Sequence, residues 1–403
     1  MNSDKNNSAR INGRAAALQL ILLFGIVSGL GDIVYESARS VSGPYLLLLG
    51  AGATAVGLVS GLGEFLGYAV RLLSGWLADR THGYWMATFI GYGMLFCIPL
   101  LALAGSWEIA ALLLILERVG KAIRSPSRDT ILSHATTQVG RGFGFALHEV
   151  LDQVGAVAGP LLFTAAYAIR NDYRDGFQLL WIPAALTVAA LVVARLRVPN
   201  PEKLETDTGK APLATDRQGF SKLFWIYAIF TFLGVAGFAN FQVISYHWVD
   251  KAVVPTMQIP ILYAIAMGVD ALAALVIGKL YDKRGLVSLA IIPLATLAIP
   301  FLGFSSQYGM AVGATVLWGI VMAVHETVMR AAIADITHLN KRAFAYGIFN
   351  TIYGLGWLVG GAVMGALYET SVAWIYLFVT AAELLAAVAF IFLHKSWVQT
   401  TTQ

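Results

Sequence analysis

The sequence predicts an all-α membrane protein with twelve transmembrane helices in two pseudo-symmetric halves of six. Of its 403 residues, 58% are hydrophobic and only 12% are charged, whereas soluble domains carry about 25% charged residues. Apolar runs of about 20 residues, long enough to cross a bilayer as helices, recur along the whole chain. A short sequence marker near the end of the second run is repeated near the end of the eighth.

The apolar runs are predicted to be helices rather than strands, because backbone polar groups in lipid must be paired within their own segment. In order, the predicted helices cover residues 15–38, 50–78, 85–104, 108–134, 142–168, 177–196, 222–248, 257–281, 286–304, 308–334, 343–368 and 372–394. The first run is long for the core of a signal peptide and has no clear cleavage site. It is therefore expected to remain as a membrane helix.

The pattern divides the chain into five parts. These are a cytoplasmic tail 1–14, a first six-helix half 15–197, a cytoplasmic linker 198–221, a second half 222–394 and a cytoplasmic tail 395–403. With the N-terminus inside, the inner segments hold 17 of the 27 Lys and Arg residues and the outer loops hold four. This asymmetry predicts a multi-pass protein of a bacterial inner membrane with both termini cytoplasmic.

The two halves repeat each other. The segment Gly75-Trp-Leu-Ala-Asp79-Arg80 matches Gly278-Lys-Leu-Tyr-Asp282-Lys283, which lies 203 residues later. A glycine pair, Gly155 and Gly159, matches Gly356 and Gly360, which lie 201 residues later. An internal repeat in a helical membrane protein indicates a transporter with its site between the halves, near the middle of the bilayer.

The segments GWLADR and GKLYDKRG resemble the loop signature between the second and third helices of the major facilitator superfamily. Over nearly the whole chain, the helix count, the central linker and the two-half repeat agree with that resemblance. It implies alternating access, with these loops as gates. The residues that it assigns to the gates are Gly75, Asp79, Arg80, Gly278, Asp282 and Arg284.

The resemblance extends to two further positions. Arg118 corresponds to the arginine of the family's fourth helix, and the segment Gly155-Ala-Val-Ala-Gly159-Pro160 resembles part of the fifth-helix motif found in proton-linked exporters. Proton-linked transport is what this likeness implies. Together with Gly356 and Gly360, the small residues Gly155, Gly159 and Pro160 are the predicted helix-packing positions.

Ionisable residues inside apolar runs are functional candidates, because charge in the bilayer costs about 2.5–3.5 kcal/mol per residue on insertion scales. The proton-coupling and substrate candidates of the first half are Asp32, Glu36, Glu64, Glu117, Arg118, His148, Glu149 and Asp152. Removal from water favours the neutral form of a carboxyl group, as a proton carrier requires. For Asp32 and Glu36, the alternative is that they pair with arginines as packing groups. Arg124 and Arg128 are expected to reach lipid headgroups.

The second half carries fewer charges. Its candidates are Asp270, His325 and Glu326, the last with Arg330 four residues later on the same helix face. Ion coupling is therefore expected mainly in the first half. His residues beside carboxylates also suggest a divalent metal, but the sequence has no dense set of His and Cys ligands, so neither a metal nor a cofactor is expected.

Proton-coupled secondary transport of small molecules is the favoured function, with efflux by proton antiport as the first choice. The main alternative is symport of an organic anion that Arg118, Lys121 and Arg124 would bind. A membrane scaffold or sensor is a distant alternative. An enzyme is not expected, because HExxH, GxSxG and GxxxxGK[ST] are all missing from the sequence. The expected partners are a small substrate, protons and membrane lipid, without nucleic acid, and the protein is expected to be a monomer.

Overall fold

Fifteen α-helices make up the computed structural model, which describes residues 2–204, 220–337 and 342–401. The helices are α1 (Asn2–Leu48), α2 (Ala53–Thr81), α3 (Tyr84–Gly93), α4 (Trp107–Thr136), α5 (Arg141–Arg170), α6 (Tyr173–Leu179), α7 (Trp181–Arg197), α8 (Lys222–Gly237), α9 (Phe241–Asp250), α10 (Ile259–Arg284), α11 (Ile291–Gly303), α12 (Tyr308–Ala323), α13 (Met329–Ile336), α14 (Arg342–Thr370) and α15 (Val372–Thr401). Within the described ranges no residue is in a strand. The all-α prediction is confirmed.

Ten stretches of the described chain are long and apolar enough to cross a membrane. One of them, Thr256–Gly303, contains both α10 and α11 and so covers two of the predicted helices. A further predicted helix corresponds to α4, whose many charged residues keep it outside that set. The fold is therefore consistent with twelve membrane helices.

Several predicted helices are interrupted. The predicted helix 222–248 is divided into α8 and α9, because Phe238 is extended with φ −78° and ψ 111°. Gly237 precedes this break, and Asn240 is the last residue before α9. Glycine and asparagine are weak helix formers, which explains the position of the break. The predicted helix 308–334 contains a π-helical turn, Val324–Val328, between α12 and α13.

The predicted tails and the linker are described only in part. The N-terminal tail is helical from Asn2, as the beginning of α1. The linker begins with a 3₁₀ turn, Pro201–Leu204, and the carbonyl oxygen of Leu204 accepts a hydrogen bond of 2.7 Å from Gln138. Linker residues 205–219 and the last two residues of the C-terminal tail lie outside the described residues. The limits of the two sequence halves stay a prediction.

The chain folds as two compact units. Unit 1 comprises Met1–Ala38, Val70–Leu103 and Leu116–Pro212, and unit 2 comprises Arg39–Ala69, Ala104–Ile115 and Leu213–Gln403. Unit 2 thus contains the whole second half and also parts of α1, α2 and α4 from the first half.

Close backbone contact between α1 and α5 organises unit 1. A methyl group added to Gly155 would overlap the carbonyl oxygen of Gly29, and one added to Gly159 would lie 2.5 Å from the carbonyl oxygen of Ile33. Pro160 follows directly inside α5. Small residues let membrane helices approach to backbone contact, and this approach brings the polar side chains of α1 and α5 together.

Unit 2 contains a similar contact between α2 and α14. Gly57 lies against the carbonyl oxygen of Gly361, and Gly61 lies against Trp357 and Leu358. On another face of α14, Gly356 and Gly360 lie against Val235 and Ala236 of α8. The second glycine pair of the repeat is therefore a packing surface for α8.

Candidate functional site

Ser28 lies at the centre of a buried hydrogen-bonded cluster in unit 1. Its hydroxyl group lies 2.8 Å from His148 Nε2 in α5 and 3.0 Å from the Tyr92 hydroxyl in α3. Arg128 of α4 donates to the same oxygen from Nη1 at 3.2 Å. One small side chain therefore connects four helices. We call these residues the Ser28 cluster.

Two carboxyl groups lie one helical turn beyond this cluster. Asp32 follows Ser28 by four residues in α1, and Asp152 follows His148 by four residues in α5. Asp32 and Asp152 repel each other electrostatically, while Lys121 and Arg128 attract both. Asp152 Oδ1 is buried and has no hydrogen-bond partner in the described part of the chain. The two carboxyl groups therefore form an acidic pair that is attracted by the cations of α4.

Two cations of α4 lie on the ring of Tyr35 in α1. The guanidinium carbon of Arg118 is 4.2 Å from the ring centroid, and the ammonium nitrogen of Lys121 is 3.8 Å from it. A cation over an aromatic face gains about 0.5–2 kcal/mol, depending on how far it is removed from water. Tyr35 therefore helps to hold two positive charges together inside unit 1.

Glu117 and Arg124 form a buried ion pair along α4, with 3.2 Å between Arg124 Nη2 and Glu117 Oε1. Arg124 also donates to the carbonyl oxygen of Gly91 at 3.3 Å and lies 5.0 Å from the centre of the Tyr92 ring. The expectation that Arg124 reaches lipid headgroups is wrong, because only 3% of its side chain is exposed. Seven residues are two helical turns, so both groups lie on one face.

The remaining candidates of unit 1 lie in different surroundings. Glu36 is buried in α1 and contributes to the electrostatic environment of Asp152. Glu149 is exposed on α5. Arg128 does not extend to headgroups as expected, because it binds Ser28 and also pairs with Asp129 at 2.9 Å. The unit 1 candidates thus divide into a buried cluster and an exposed carboxylate.

Glu64 lies in unit 2, where it forms a buried ion pair with Arg39, with 3.1 Å between Arg39 Nη2 and Glu64 Oε1. Nearby, Tyr68 of α2 contacts Tyr353 of α14 edge to face, with 4.9 Å between ring centroids. The buried carboxylate of Glu64 therefore has an arginine as its partner, which the sequence alternative had expected of Asp32 and Glu36. The ion pair also shows that α1 and α2 contribute charge to unit 2.

The π-helical turn of unit 2 carries His325 and Glu326. His325 is buried, and its Nδ1 lies 3.3 Å from the Tyr353 hydroxyl. Glu326 lies inside the π turn and Arg330 lies in α13, directly after it. The predicted relation between these two side chains stays a prediction. Asp270, also buried, lies in α10.

A neutral polar network lies beside the break between α8 and α9. Asn240 donates to the Ser60 hydroxyl at 3.0 Å, and Ser60 donates to Gln242 Oε1 at 3.0 Å. On the opposite side of the break, the indole nitrogen of Trp318 donates to the carbonyl oxygen of Ala239 at 3.1 Å. Side chains thus pair some of the backbone and amide groups that an interrupted helix leaves available.

The predicted gate residues lie at helix ends. Asp79 is exposed and accepts a hydrogen bond of 3.1 Å from Tyr84, while Arg80 lies 5.4 Å from the centre of the Trp76 ring. Gly75 packs against Pro126 of α4. In the second copy, Asp282 and Arg284 are exposed near the end of α10, and Gly278 lies in the turn before them. Their gating role stays a prediction.

Sequence reasoning missed Glu383 in α15. Its side chain is 2% exposed, and neither carboxyl oxygen has a hydrogen-bond partner among the described residues. The signal was available, because Glu383 is the only acidic residue between 372 and 394. Ser28 and Tyr35 were also missed, since neither residue type is unusual in a membrane helix.

No group of three or more His, Cys, Asp or Glu side chains that could hold a metal ion is present among the described residues.

Long apolar helices that bury ion pairs and isolated carboxyl groups define a multi-pass membrane transporter. The chain belongs to the Major Facilitator Superfamily, because the family model matches residues 17–327 and 258–401. Secondary transport is the activity of that family, so the prediction of a transporter is confirmed at this level.

Known relatives and structures agree with the family. The uncharacterized protein Rv2265 of Mycobacterium tuberculosis is 40% identical over 382 residues, which cover 93% of this chain and 92% of the relative. An uncharacterized MFS-type transporter of Methanocaldococcus jannaschii, MJ1317, is 26% identical, and the match covers 97% of this chain and 98% of the relative. The crystal structure of the nucleoside transporter NupG (D323A mutant) is similar in fold, with a TM-score of 0.74, 17% identity, and 93% and 99% coverage.

Proposed function

We propose that this chain is a proton-coupled secondary transporter that exports small molecules by proton antiport. Alternating access exchanges a substrate for protons across the bacterial inner membrane. Both termini lie in the cytoplasm, as the distribution of Lys and Arg predicts. The transporter works as a monomer, with substrate, protons and lipid as its partners and without a cofactor.

The proposal rests on the surroundings of the Asp152 carboxyl group. Its Oδ1 is buried without a hydrogen-bond partner among the described residues, yet Lys121 and Arg128 lie within electrostatic range. An ionised Asp152 offsets part of the positive charge of these cations, whereas a protonated Asp152 offsets none of it. Each proton therefore changes the charge balance between α4 and α5, and such a change can favour one packing of the helices over another.

The contact between α1 and α5 supports the antiport direction. Gly155 and Gly159, which resemble the motif of proton-linked exporters, hold α5 against the backbone of α1. This contact brings Asp152 within electrostatic range of Asp32. In an antiporter, a proton and a substrate compete for one site, and two interacting carboxyl groups suit a substrate that displaces protons.

A second candidate function is uptake of an organic anion by proton symport. It is favoured by the two cations on the ring of Tyr35, because Arg118 and Lys121 together offer a carboxylate or phosphate two positive partners. In this case the proton on Asp152 would accompany the substrate instead of replacing it.

The experiment uses the full chain in proteoliposomes with an imposed pH gradient and a dye that reports the internal pH. The added probes are lipophilic cations, nucleosides and organic carboxylates, one at a time. Antiport requires the probe to move against the proton flow, whereas symport requires movement in the same direction. Absence of proton-linked movement for every probe class would contradict the proposal.

The matched variants are Asp152→Asn and Glu108→Gln. Asp152→Asn keeps the size of the side chain but cannot lose a proton, so it should abolish proton-driven accumulation of the probe while exchange of probe for probe continues. Glu108 is exposed in the first turn of α4. Its conversion to Gln should change neither the proton-driven accumulation of the probe nor the exchange of probe for probe.

A further inference from the structure

Glu383 is a buried acid that the proposed coupling site does not include. It lies in α15, within an apolar segment, and 2% of its surface is exposed. Neither Oε1 nor Oε2 has a hydrogen-bond partner in the described residues. A buried carboxyl group normally has a cation or several donors around it, so the surroundings of Glu383 require an explanation.

The carboxyl group faces the end of α8. A methyl group added to Gly237, the last residue of α8, would overlap Glu383 Oε1 and lie 3.0 Å from its Cδ. The chain leaves the helix at the next residue, Phe238. Glu383 therefore lies against the break between α8 and α9, at a helix end where backbone carbonyl groups lose their helical partners.

No described cation approaches this carboxyl group closely enough to pair with it. Three elements pack against α15 beside α8: α11, α14 and the 3₁₀ turn Gly285–Ala290. Neither α11 nor that turn contains an ionisable residue. The ionisable residues of α8, α14 and α15 are Lys222, Tyr227, Arg342, Tyr346, Tyr353, Tyr368, Glu369, Tyr376, His394 and Lys395.

The two lysines are distant. Lys222 precedes Gly237 by 15 residues in α8, which is about 22 Å along the helix axis. Lys395 follows Glu383 by 12 residues in α15, which is about 18 Å. The hydroxyl group of Tyr227 donates to the carbonyl oxygen of Met329 instead. An ionised Glu383 would therefore be a charge without compensation, next to the negative end of the α8 dipole.

We propose that Glu383 is a proton-binding site of the second half, distinct from the Ser28 cluster, and that it holds its proton while α8 and α15 remain packed at Gly237. When that packing opens, water reaches the carboxyl group and takes the proton. The neutral acid places no charge beside the negative end of the α8 dipole, whereas the carboxylate would place one there. The part that this proton plays in transport rests on the proposed function, but its presence does not.

The test is infrared spectroscopy of the purified full chain in lipid at neutral pH. A protonated carboxyl group gives a C=O stretching band that is separate from the bands of a carboxylate. We expect Glu383→Gln to lose part of this band relative to the unchanged protein. Gln has nearly the shape of a neutral Glu and keeps the packing, so the variant is expected to fold. An identical band in both proteins would overturn the proposal.

The link to α8 is tested through Gly237→Ala. The added methyl group displaces Glu383 from its place against α8, so the same part of the band should weaken at neutral pH. Gly268→Ala is the control, because no described atom lies within 4 Å of the position of its new methyl group. An undiminished band in Gly237→Ala would overturn the link between proton and packing.

These measurements need neither a substrate nor a pH gradient. If vesicles show no proton-linked flux but the band depends on Glu383, the proposed function fails and the proton site stands. If flux is proton-linked but the infrared band is the same in Glu383→Gln as in the unchanged protein, the proton site fails and the proposed function stands. Glu108→Gln, which removes an exposed carboxylate, should leave the band unchanged.

Discussion

Gly155 of α5 lies against the carbonyl oxygen of Gly29 in α1, with no room for a side chain between them. The polar residues of the two helices approach one another because of this contact. Asp32 and Asp152 depend on it for their mutual repulsion, and Ser28 depends on it for its hydrogen bond to His148. The packing and the chemistry of unit 1 therefore have a common origin.

Gly155→Ala should destabilise the protein. The added methyl group overlaps backbone rather than a flexible side chain, so α5 must shift away from α1. Such overpacking costs about 1–3 kcal/mol. We expect a lower melting temperature in detergent and weaker proton-driven flux. Gly93→Ala is the control, because open space surrounds Gly93 at the end of α3, and an equal loss in both variants would contradict the explanation.

Removal of one member of the Arg39–Glu64 ion pair should be costly. Both side chains are less than 10% exposed, at 8% and 9%, so Glu64→Gln removes a negative charge from beside a buried guanidinium group. Breaking a buried pair in this way costs about 3–5 kcal/mol. The double variant Arg39→Met with Glu64→Leu should recover much of the loss in thermal stability. A double variant as unstable as Glu64→Gln would show that the charge is not the cause.

The ring of Tyr35 should matter more than its hydroxyl group. Tyr35→Phe keeps the aromatic face beneath Arg118 and Lys121, whereas Tyr35→Leu removes it. Loss of a cation–π contact of about 0.5–2 kcal/mol corresponds to a roughly 2- to 30-fold weaker interaction. We expect transport to fall by about this factor in Tyr35→Leu and to persist in Tyr35→Phe. Equal transport rates in Tyr35→Phe and Tyr35→Leu would show that the aromatic ring does not hold the two cations in place.

Trp318→Phe should weaken the break between α8 and α9. The substitution keeps an aromatic ring but removes the donor to the carbonyl oxygen of Ala239. An unsatisfied buried carbonyl group costs about 1–3 kcal/mol. We expect faster hydrogen exchange at residues 238–241 and a lower melting temperature. Trp374→Phe provides the comparison, because Trp374 is 54% exposed and its replacement should change neither measurement.

The helices were largely predictable, because membrane-length apolar runs leave the backbone few alternatives. The local interruptions of the helices could not be predicted. The break after Gly237 and the π turn at His325 depend on partners from other helices, such as Trp318 and Tyr353.

The candidate site was predictable in part. Charged residues in apolar runs are conspicuous, so Asp32, Glu117 and Asp152 were found from the sequence. Their partners were harder to predict. From the sequence, Arg124 could equally have extended to the lipid headgroups. It is buried instead because Gly91 allows α3 to approach α4 closely. Ser28 has no unusual chemistry until three other helices place their polar groups around it.

The contact between α2 and α14 has a mechanical consequence. Gly57, Gly61, Gly361 and Gly365 bring the two backbones together, so this part of the interface lacks the interlocked side chains that fix one helix against another. Smooth surfaces can slide by small steps without any side chain changing its rotamer. Larger residues at these four positions would overlap the facing backbone and force the two helices apart, so we expect them to remove this freedom of movement and to lower stability together.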